Sequence, residues 1–149
     1  MAMNIMLLLL VAAGISLVIQ NLLMVRITES VSTVLITLVI NSSVGLLLLV
    51  GLLFAKNGVS VLAEVTGTLR IWMLLPGLLG SFFVFSGILG YQKLGAATTI
   101  AVLVASQLVA GLMVDIYKAG PAALRENLPA LLGGVLLVIG AFLVARRSF

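Results

Sequence analysis

Residues 72–115 decide how this sequence folds, and they read WMLLPGLLGSFFVFSGILGYQKLGAATTIAVLVASQLVAGLMVD. Two long apolar runs are separated only by the polar pair Gln92 and Lys93, which predicts two membrane-spanning helices joined by a very short turn. Both runs are rich in glycine and other small residues, and the second contains Gln107 in its interior. A helix that only had to contact lipid could consist of leucine and valine. The small residues and the amide therefore indicate the wall of a cavity or the contact surface of a dimer.

The composition of the whole chain is that of a membrane protein. Of its 149 residues, 63% are hydrophobic and 8% are charged, and the mean hydropathy is +1.40. A soluble domain would carry roughly a quarter of its residues as charges. The chain contains no cysteine and no histidine, which excludes disulfides and removes the commonest metal ligands. Its net charge of +4 comes from basic residues scattered singly along the sequence, so we expect no nucleic-acid binding.

Five apolar stretches are long enough to cross the bilayer, which takes roughly 20 residues of helix. We expect a single transmembrane domain with spans at about residues 3–25, 31–55, 71–91, 94–117 and 128–145. The first stretch is longer than the apolar core of a signal peptide, about 7–15 residues, so we expect it to be retained. Backbone groups in lipid must be paired within each span, which favours helices over the alternating strands of a barrel.

The segments between the spans give further expectations. Residues 57–70 are polar and long enough for a helical turn at the membrane interface, and Gly120-Pro121 predicts a turn after the fourth span. Pro76 predicts a kink near the start of the third span. The aromatic residues Trp72, Tyr91 and Tyr117 fall at predicted span ends, as in the aromatic belts of membrane proteins.

The basic residues are divided equally between the two sides of the membrane. With five spans, one side carries four of them: Lys56, Arg70, Lys118 and Arg125. The other side also carries four: Arg26, Lys93, Arg146 and Arg147. Because orientation follows the bias of lysine and arginine, a tie leaves two interpretations open. Either the short basic tail fixes one orientation weakly, or the chain inserts both ways and pairs head to tail.

Polar side chains inside the spans need partners, because an unpaired amide in hydrocarbon is costly. We take five of them as candidate substrate-binding residues: Gln20, Asn21, Asn41, Ser81 and Gln107. The pair in the first span forms either a polar step toward the loop or part of a cavity wall. Asn41 either bonds another helix or lines a cavity, and these two interpretations are compatible. Gln107 requires either a structural bond to another helix or a polar cavity.

Glycines recur in the last three spans at spacings that allow helices to approach closely. We expect helix packing at seven of them: Gly77, Gly80, Gly87, Gly90, Gly111, Gly133 and Gly140. The only carboxylate inside or bordering a span is Asp115, near the span end marked by Tyr117. We expect an interfacial acid paired with Lys118, with a coupling-ion or proton site as the alternative. No nucleophile with a base, carboxylate pair, metal cluster or phosphate loop appears, so the sequence indicates neither an enzyme nor a bound cofactor or metal.

The pattern from Leu75 to Asp115 resembles the YdcZ family of small inner-membrane proteins, a branch of the drug/metabolite transporter superfamily. Its features are a glycine-rich third span, a short turn, Leu-Gly-Ala-Ala opening the fourth span, a mid-span Gln and a late Asp. Here these include Gly77, Gly80, Leu94, Gly95, Ala96, Ala97, Gln107 and Asp115. The first span, AAGISLVIQNLLMVRI, is similar as well. It departs from the pattern in one place, since many relatives have an Asn where this chain has Met24.

The resemblance implies an all-α membrane protein whose five helices are half of a ten-helix transporter, completed by antiparallel dimerisation. It implies location in the bacterial inner membrane, with the lipid bilayer and a second copy of the chain as partners. Small multidrug exporters are related to this family and depend on a central glutamate in the first span, which is absent here. We therefore expect a transporter that exports an unknown small metabolite or drug, with a neutral or zwitterionic polar solute as its cargo. The alternative is a non-transporting assembly partner or regulator whose amides are purely structural.

Overall fold

The chain folds into helices throughout the part that the computed structural model describes, residues 2–120 and 128–147. In chain order these are α1 (Ala2–Glu29), α2 (Val34–Asn57), the short α3 (Val61–Thr68), a 3-10 turn (Ile71–Leu74), α4 (Leu75–Leu94), α5 (Ala96–Ala119) and α6 (Leu128–Arg146). Five stretches are long and apolar enough to cross a membrane: Met3–Glu29, Val34–Asn57, Ile71–Leu94, Ala96–Ala119 and Leu128–Arg146. The prediction of an all-α protein with five spans is therefore confirmed.

Apolar side chains cover the outside of these helices instead of filling a core. At most 17% of the residues in the most apolar part of any span are buried. Among the described residues, only Ile88 and Thr37 have large side chains that are fully enclosed. In water such exposed apolar surface would drive aggregation, whereas in a bilayer lipid tails cover it.

Glycines with positive φ end α2 and α5, and another separates α4 from α5. Gly58 follows α2 at φ +68°, and its N–H donates to Phe54 O at 2.9 Å. Gly120 follows α5 at φ +76°, and its N–H donates to Ile116 O at 2.9 Å. Gly95, at φ +83°, is the single residue between α4 and α5. Because other residues are strained at positive φ, these glycines fix where the helices stop.

The connections differ in detail from the sequence-based expectation. The turn expected at Gln92 and Lys93 lies instead at Gly95, because α4 continues through both polar residues. Pro76 is the second residue of α4, where a proline removes no intrahelical hydrogen bond, so it marks a helix start rather than a kink. The interfacial turn expected in residues 57–70 is the two-turn helix α3. Pro121 and Arg125 lie outside the described residues.

Contacts divide the chain into two units, residues 1–89 and residues 90–149. In the first unit α1 contacts α2, and α2 contacts α3. In the second unit α5 and α6 form the most extensive contact between helices of the described chain.

The three aromatic residues at span ends differ in exposure, since Trp72 and Tyr117 are exposed whereas Tyr91 is buried. Tyr91 therefore packs against protein instead of facing the lipid headgroups.

Candidate functional site

The first polar contact between spans joins the side chains of Gln20 and Asn41. Gln20 Nε2 donates a hydrogen bond to Asn41 Oδ1 over 3.0 Å. Gln20 lies nine residues before the end of α1 and Asn41 seven residues after the start of α2, which puts each about 10–14 Å from its helix end at a rise of ~1.5 Å per residue. The bond therefore lies well inside the spans, and it engages one amide nitrogen and one amide oxygen of the pair.

The same two amides line an open groove between α1 and α2. The groove has a volume of about 440 Å³. It is lined by Ser16, Ile19, Gln20, Leu23, Met24, Ile27, Ile40, Asn41 and Val44. Gln20 and Asn41 are thus both an interhelical bond and a cavity wall, the two roles that the sequence left open for Asn41. The lining contains no charged side chain, so the groove offers hydrogen bonds and apolar contact but no ion pair.

A second polar contact between the same helices is formed by two threonines. The Thr28 hydroxyl donates to Met24 O at 2.8 Å, and Thr28 Oγ1 and Thr37 Oγ1 are 2.8 Å apart. Because Thr28 has one hydroxyl proton and directs it to Met24 O, Thr37 is the donor between the two threonines. Thr37 is fully buried, so this chain of hydrogen bonds fixes α2 against α1 and leaves no group for a ligand.

Asn21 lies on a different face of α1 from Gln20, beside α4. Its side chain is 6% exposed, and a β-carbon on Gly87 would be 3.9 Å from its Oδ1. Asn21 makes no side-chain hydrogen bond within residues 2–120 and 128–147. In the same ranges, however, no side-chain nitrogen or oxygen that is fully buried lacks a hydrogen-bond partner. Its amide must therefore reach the little surface that the residue keeps, where a water molecule or a ligand could bind it.

Ser81 lines another groove of the first unit, between α2 and α4. This groove measures about 550 Å³ and is otherwise formed by leucine and phenylalanine side chains. The Ser81 hydroxyl donates to Gly77 O over 2.9 Å. Only the lone pairs of Ser81 remain for a ligand, so it is a weaker candidate than the two amides of α1 and α2.

Gln107 belongs to the second unit and lies on α5. Its side chain is exposed and makes no hydrogen bond within the described ranges. Two other residues of α5 lie on different faces of the helix from Gln107: Ala105, which is buried, and Leu112, which contacts α6. No structural bond of Gln107 is therefore formed within the described chain. Its amide is available to a ligand, to water or to a second copy.

Asp115 follows Gln107 along the same exposed stripe of α5. It is exposed, and neither Lys118 nor any other residue of the described ranges forms an ion pair with it. The expected pairing with Lys118 is therefore not formed. An exposed carboxylate within two residues of Tyr117 fits the edge of the bilayer, where water can solvate it.

Two glycines make close contacts that would have to shift to admit a side chain. A β-carbon on Gly90 would lie 2.6 Å from Thr99 Cγ2, and one on Gly134 would lie 2.8 Å from Leu112 Cδ1. At the remaining expected packing positions, a β-carbon would meet no atom of the described residues within 4 Å, except for the contact of Gly87 with Asn21. The open positions are Gly77, Gly80, Gly111, Gly133 and Gly140.

Thr28 and Gly134 were not predicted from the sequence. Thr28 follows Gln20 and Met24 at the spacing i, i+4, i+8, so its position on the α2-facing side of α1 was detectable from periodicity. Gly134 is the next residue after Gly133, and the two glycines differ only in the face of α6 on which they lie. Nothing in the local sequence distinguishes a glycine that faces α5 from one that does not.

The side chains that line these grooves can bind a ligand. No group of three or more His, Cys, Asp or Glu side chains that could hold a metal ion occurs within the described part of the chain. The groove between α1 and α2 contains amides and one hydroxyl, which can orient a polar group but cannot act as a general acid or base near neutral pH.

Comparison with known proteins identifies a family and a similar protein. A sequence profile of the family described as "Putative inner membrane exporter, YdcZ" matches residues 5–143. The chain is similar to the inner membrane protein YdcZ of Escherichia coli (strain K12), with 57% identity over 140 residues that cover 94% of each chain. No solved structure matches it. Together with the five apolar helices, these matches show a multi-pass protein of the inner membrane.

Proposed function

Because this chain belongs to the YdcZ family of inner membrane proteins, we propose that it exports a small metabolite or drug across that membrane. The observation that carries the proposal is the bonded pair of Gln20 and Asn41 in the wall of an open groove. Polar groups within a span are costly in lipid, and their usual use is to line a substrate path. The proposal assigns no catalytic reaction and requires no cofactor.

Alternating access by an antiparallel homodimer is the mechanism within this proposal. Five helices are half of the ten-helix fold that the family resemblance implies, and inverted repeats are a common architecture of transporters. The equal division of basic residues across the membrane is what a chain with both orientations requires. The small residues Gly77, Gly80, Gly111, Gly133 and Gly140 have open space beside them, which suits close contact with a second copy.

The proposed substrate contacts differ in how much supports them. Gln20 and Asn41 have the strongest support, since they share one groove. Asn21 and Gln107 have amides without a hydrogen bond in the described ranges, and Ser81 contributes lone pairs to a second groove. Asp115 is the weak candidate for a coupling ion, because it lies at the edge of its span.

A non-transporting assembly partner or regulator is the second candidate function. The observation that favours it is the same bond between Gln20 and Asn41, because such a bond alone can join two helices. In that case the amides are structural, and no small molecule should stabilise the protein. The two candidates therefore differ in ligand response.

Transport is tested with purified protein in proteoliposomes and a broad library of metabolites and cationic drugs. An exporter should show a raised melting temperature with some members of the library and saturable flux of those members. If no compound changes the melting temperature and none is moved faster than through protein-free liposomes, the proposed function is wrong. A Gln107→Ala variant that folds normally but loses flux would support the exporter over the structural alternative.

Dual orientation has a separate test in reporter fusions placed after Phe149. A balanced chain should give activity with both a cytoplasmic and a periplasmic reporter, and moving one arginine across the membrane should shift the ratio. A fusion that is active on one side only would contradict the antiparallel dimer. It would not contradict the proposal that the protein exports a small molecule.

A further inference from the structure

The bonded pair of amides leaves one amide nitrogen and one amide oxygen free, on two residues that both line the groove. A carboxamide has two N–H donors and an oxygen that accepts. The bond uses Gln20 Nε2 and Asn41 Oδ1. Gln20 Oε1 and Asn41 Nδ2 make no hydrogen bond within residues 2–120 and 128–147. If both amides were turned over, the pair would still bond once and still leave one donor and one acceptor, so this result does not depend on their orientation.

The rest of the groove wall selects against charge. Apart from the two amides and Ser16, its lining is entirely aliphatic or thioether. The Ser16 hydroxyl donates to Ala12 O over 2.8 Å, so only its lone pairs face a ligand. An ion entering this groove would lose hydration without gaining an opposite charge, which is strongly unfavourable. The occupant is therefore uncharged, and most of its surface is apolar.

The size and the free groups together define a chemical class. A volume of about 440 Å³ lies within the range of small-molecule sites, roughly 300–1,000 Å³. A ligand that carries an N–H beside a C=O can donate to the free amide oxygen and accept from the free amide nitrogen. A ligand whose N–H and C=O lie on the same side can make both hydrogen bonds at once. Esters and ketones lack the donor, and tertiary amides lack it as well.

We infer that the groove between α1 and α2 binds uncharged, mostly apolar molecules that carry an adjacent N–H and C=O, such as lactams, primary amides and ureas. This inference rests on the proposed function, since it names the substrate class of the exporter's groove. It narrows the sequence-based expectation of a neutral or zwitterionic solute, because a zwitterion would find no charged partner here.

The test compares one lactam with its N-methyl derivative. The probes are 4-phenyl-2-pyrrolidinone and N-methyl-4-phenyl-2-pyrrolidinone, and their dissociation constants are measured by equilibrium dialysis against protein in lipid nanodiscs, with empty nanodiscs subtracted. We expect the N-methyl compound to bind about tenfold more weakly, since it loses one hydrogen bond and leaves a polar group unpaired. Partition into lipid would give the opposite order, because methylation makes the probe more apolar. Equal or tighter binding of the N-methyl compound overturns the inference.

Variants locate the binding in this groove. Gln20→Leu and Asn41→Leu should each weaken lactam binding about tenfold and abolish the preference over the N-methyl probe. The swapped variant Gln20→Asn with Asn41→Gln keeps one bonded pair across the helices and should restore the preference. Ser106→Ala on α5, outside the groove, removes a hydroxyl that donates to Leu103 O and should leave the preference unchanged. If the leucine variants do not fold, the swapped variant and the two probes on the unmodified protein still decide the result.

The outcomes separate this inference from the proposed function. If the lactam fails to bind while another compound of the library is transported, the inference is wrong and the exporter remains. If the lactam binds with the expected preference but neither it nor any library member is transported, the groove chemistry holds and the exporter is wrong. Lactam binding that is insensitive to every groove variant places it elsewhere and overturns the inference.

Discussion

Gly134 of α6 faces Leu112 of α5 so closely that a β-carbon on the glycine would lie 2.8 Å from Leu112 Cδ1. Gly133, its neighbour in sequence, faces open space. The contact belongs to the most extensive helix pair of the described chain. In a bilayer, where apolar burial adds little, close packing of a side chain against a glycine contributes to helix association. Within the described part of the chain, Gly134 therefore contributes to helix packing and Gly133 does not.

This contact makes Gly134→Ala and Gly133→Ala a matched pair. We expect Gly134→Ala to lower the free energy of unfolding by up to about 1 kcal/mol, since the end of the Leu112 side chain must move to admit the methyl group. Gly133→Ala should leave stability unchanged or raise it by up to about 1 kcal/mol, through helix propensity. Both are measured by reversible unfolding in mixed micelles. Equal effects of the two substitutions would contradict the contact. Loss of dimerisation in Gly133→Ala alone would assign that glycine to the interface with a second copy.

Gly90→Ala tests the contact between the end of α4 and Thr99. A methyl group at Gly90 would lie 2.6 Å from Thr99 Cγ2 and 2.9 Å from Thr99 Oγ1. We expect a loss of about 1–3 kcal/mol in the free energy of unfolding, since neither branch of the threonine leaves room. In a Thr99→Ala background the same substitution should cost less, because the nearest remaining atom, Thr99 Cβ, is 3.3 Å away. Gly111→Ala, at an open position, is the control, and an equal cost in both backgrounds would contradict the steric explanation.

A double-mutant cycle measures the bond between Gln20 and Asn41. Replacing either residue by leucine removes the bond and leaves one amide with apolar neighbours. We expect a coupling of about 0.5–1.5 kcal/mol between the two substitutions, as for other hydrogen bonds between membrane helices. Unfolding of the four proteins in mixed micelles gives this value. Purely additive effects would show that the bond contributes nothing to the association of α1 with α2.

Gln107→Ala should affect transport and not folding. The side chain is exposed and has no hydrogen bond in the described ranges, so its removal should change the free energy of unfolding by less than about 0.5 kcal/mol. If Gln107 contacts substrate, flux in proteoliposomes should fall strongly in the same variant. A lower melting temperature or a loss of dimers would instead identify Gln107 as an amide that bonds a second copy.

Hydropathy and residue spacing were sufficient for the helices but not for their ends. The polar pair Gln92 and Lys93 suggested a turn because charged and amide side chains are rare in spans. At the membrane interface, however, such side chains can stay in a helix and extend toward water. The helix ends instead just before Gly95, because the positive φ of this glycine interrupts the helical backbone. Backbone geometry outweighed polarity at this position.

The candidate site was predictable in its residues but not in its pairing. The sequence singled out Gln20 and Asn41 as amides that need partners, and hydrogen bonding explains why lipid would not tolerate them alone. It could not show that they would bond each other, because that depends on how α1 and α2 are rotated about their axes. The same reason explains why Gly134 was indistinguishable from Gly133.

The glycines that end α2 and α5 also determine how the protein can respond to bilayer thickness. Each of these helices has 24 residues, or about 36 Å at ~1.5 Å per residue, against roughly 30 Å of hydrocarbon. A helix without a fixed end could match another membrane by winding or unwinding a terminal turn. At Gly58 and Gly120 the positive φ prevents α2 and α5 from continuing. Hydrophobic mismatch at these ends must then be absorbed by tilt or by deformation of the lipid, which makes membrane thickness a direct control on helix tilt in this protein.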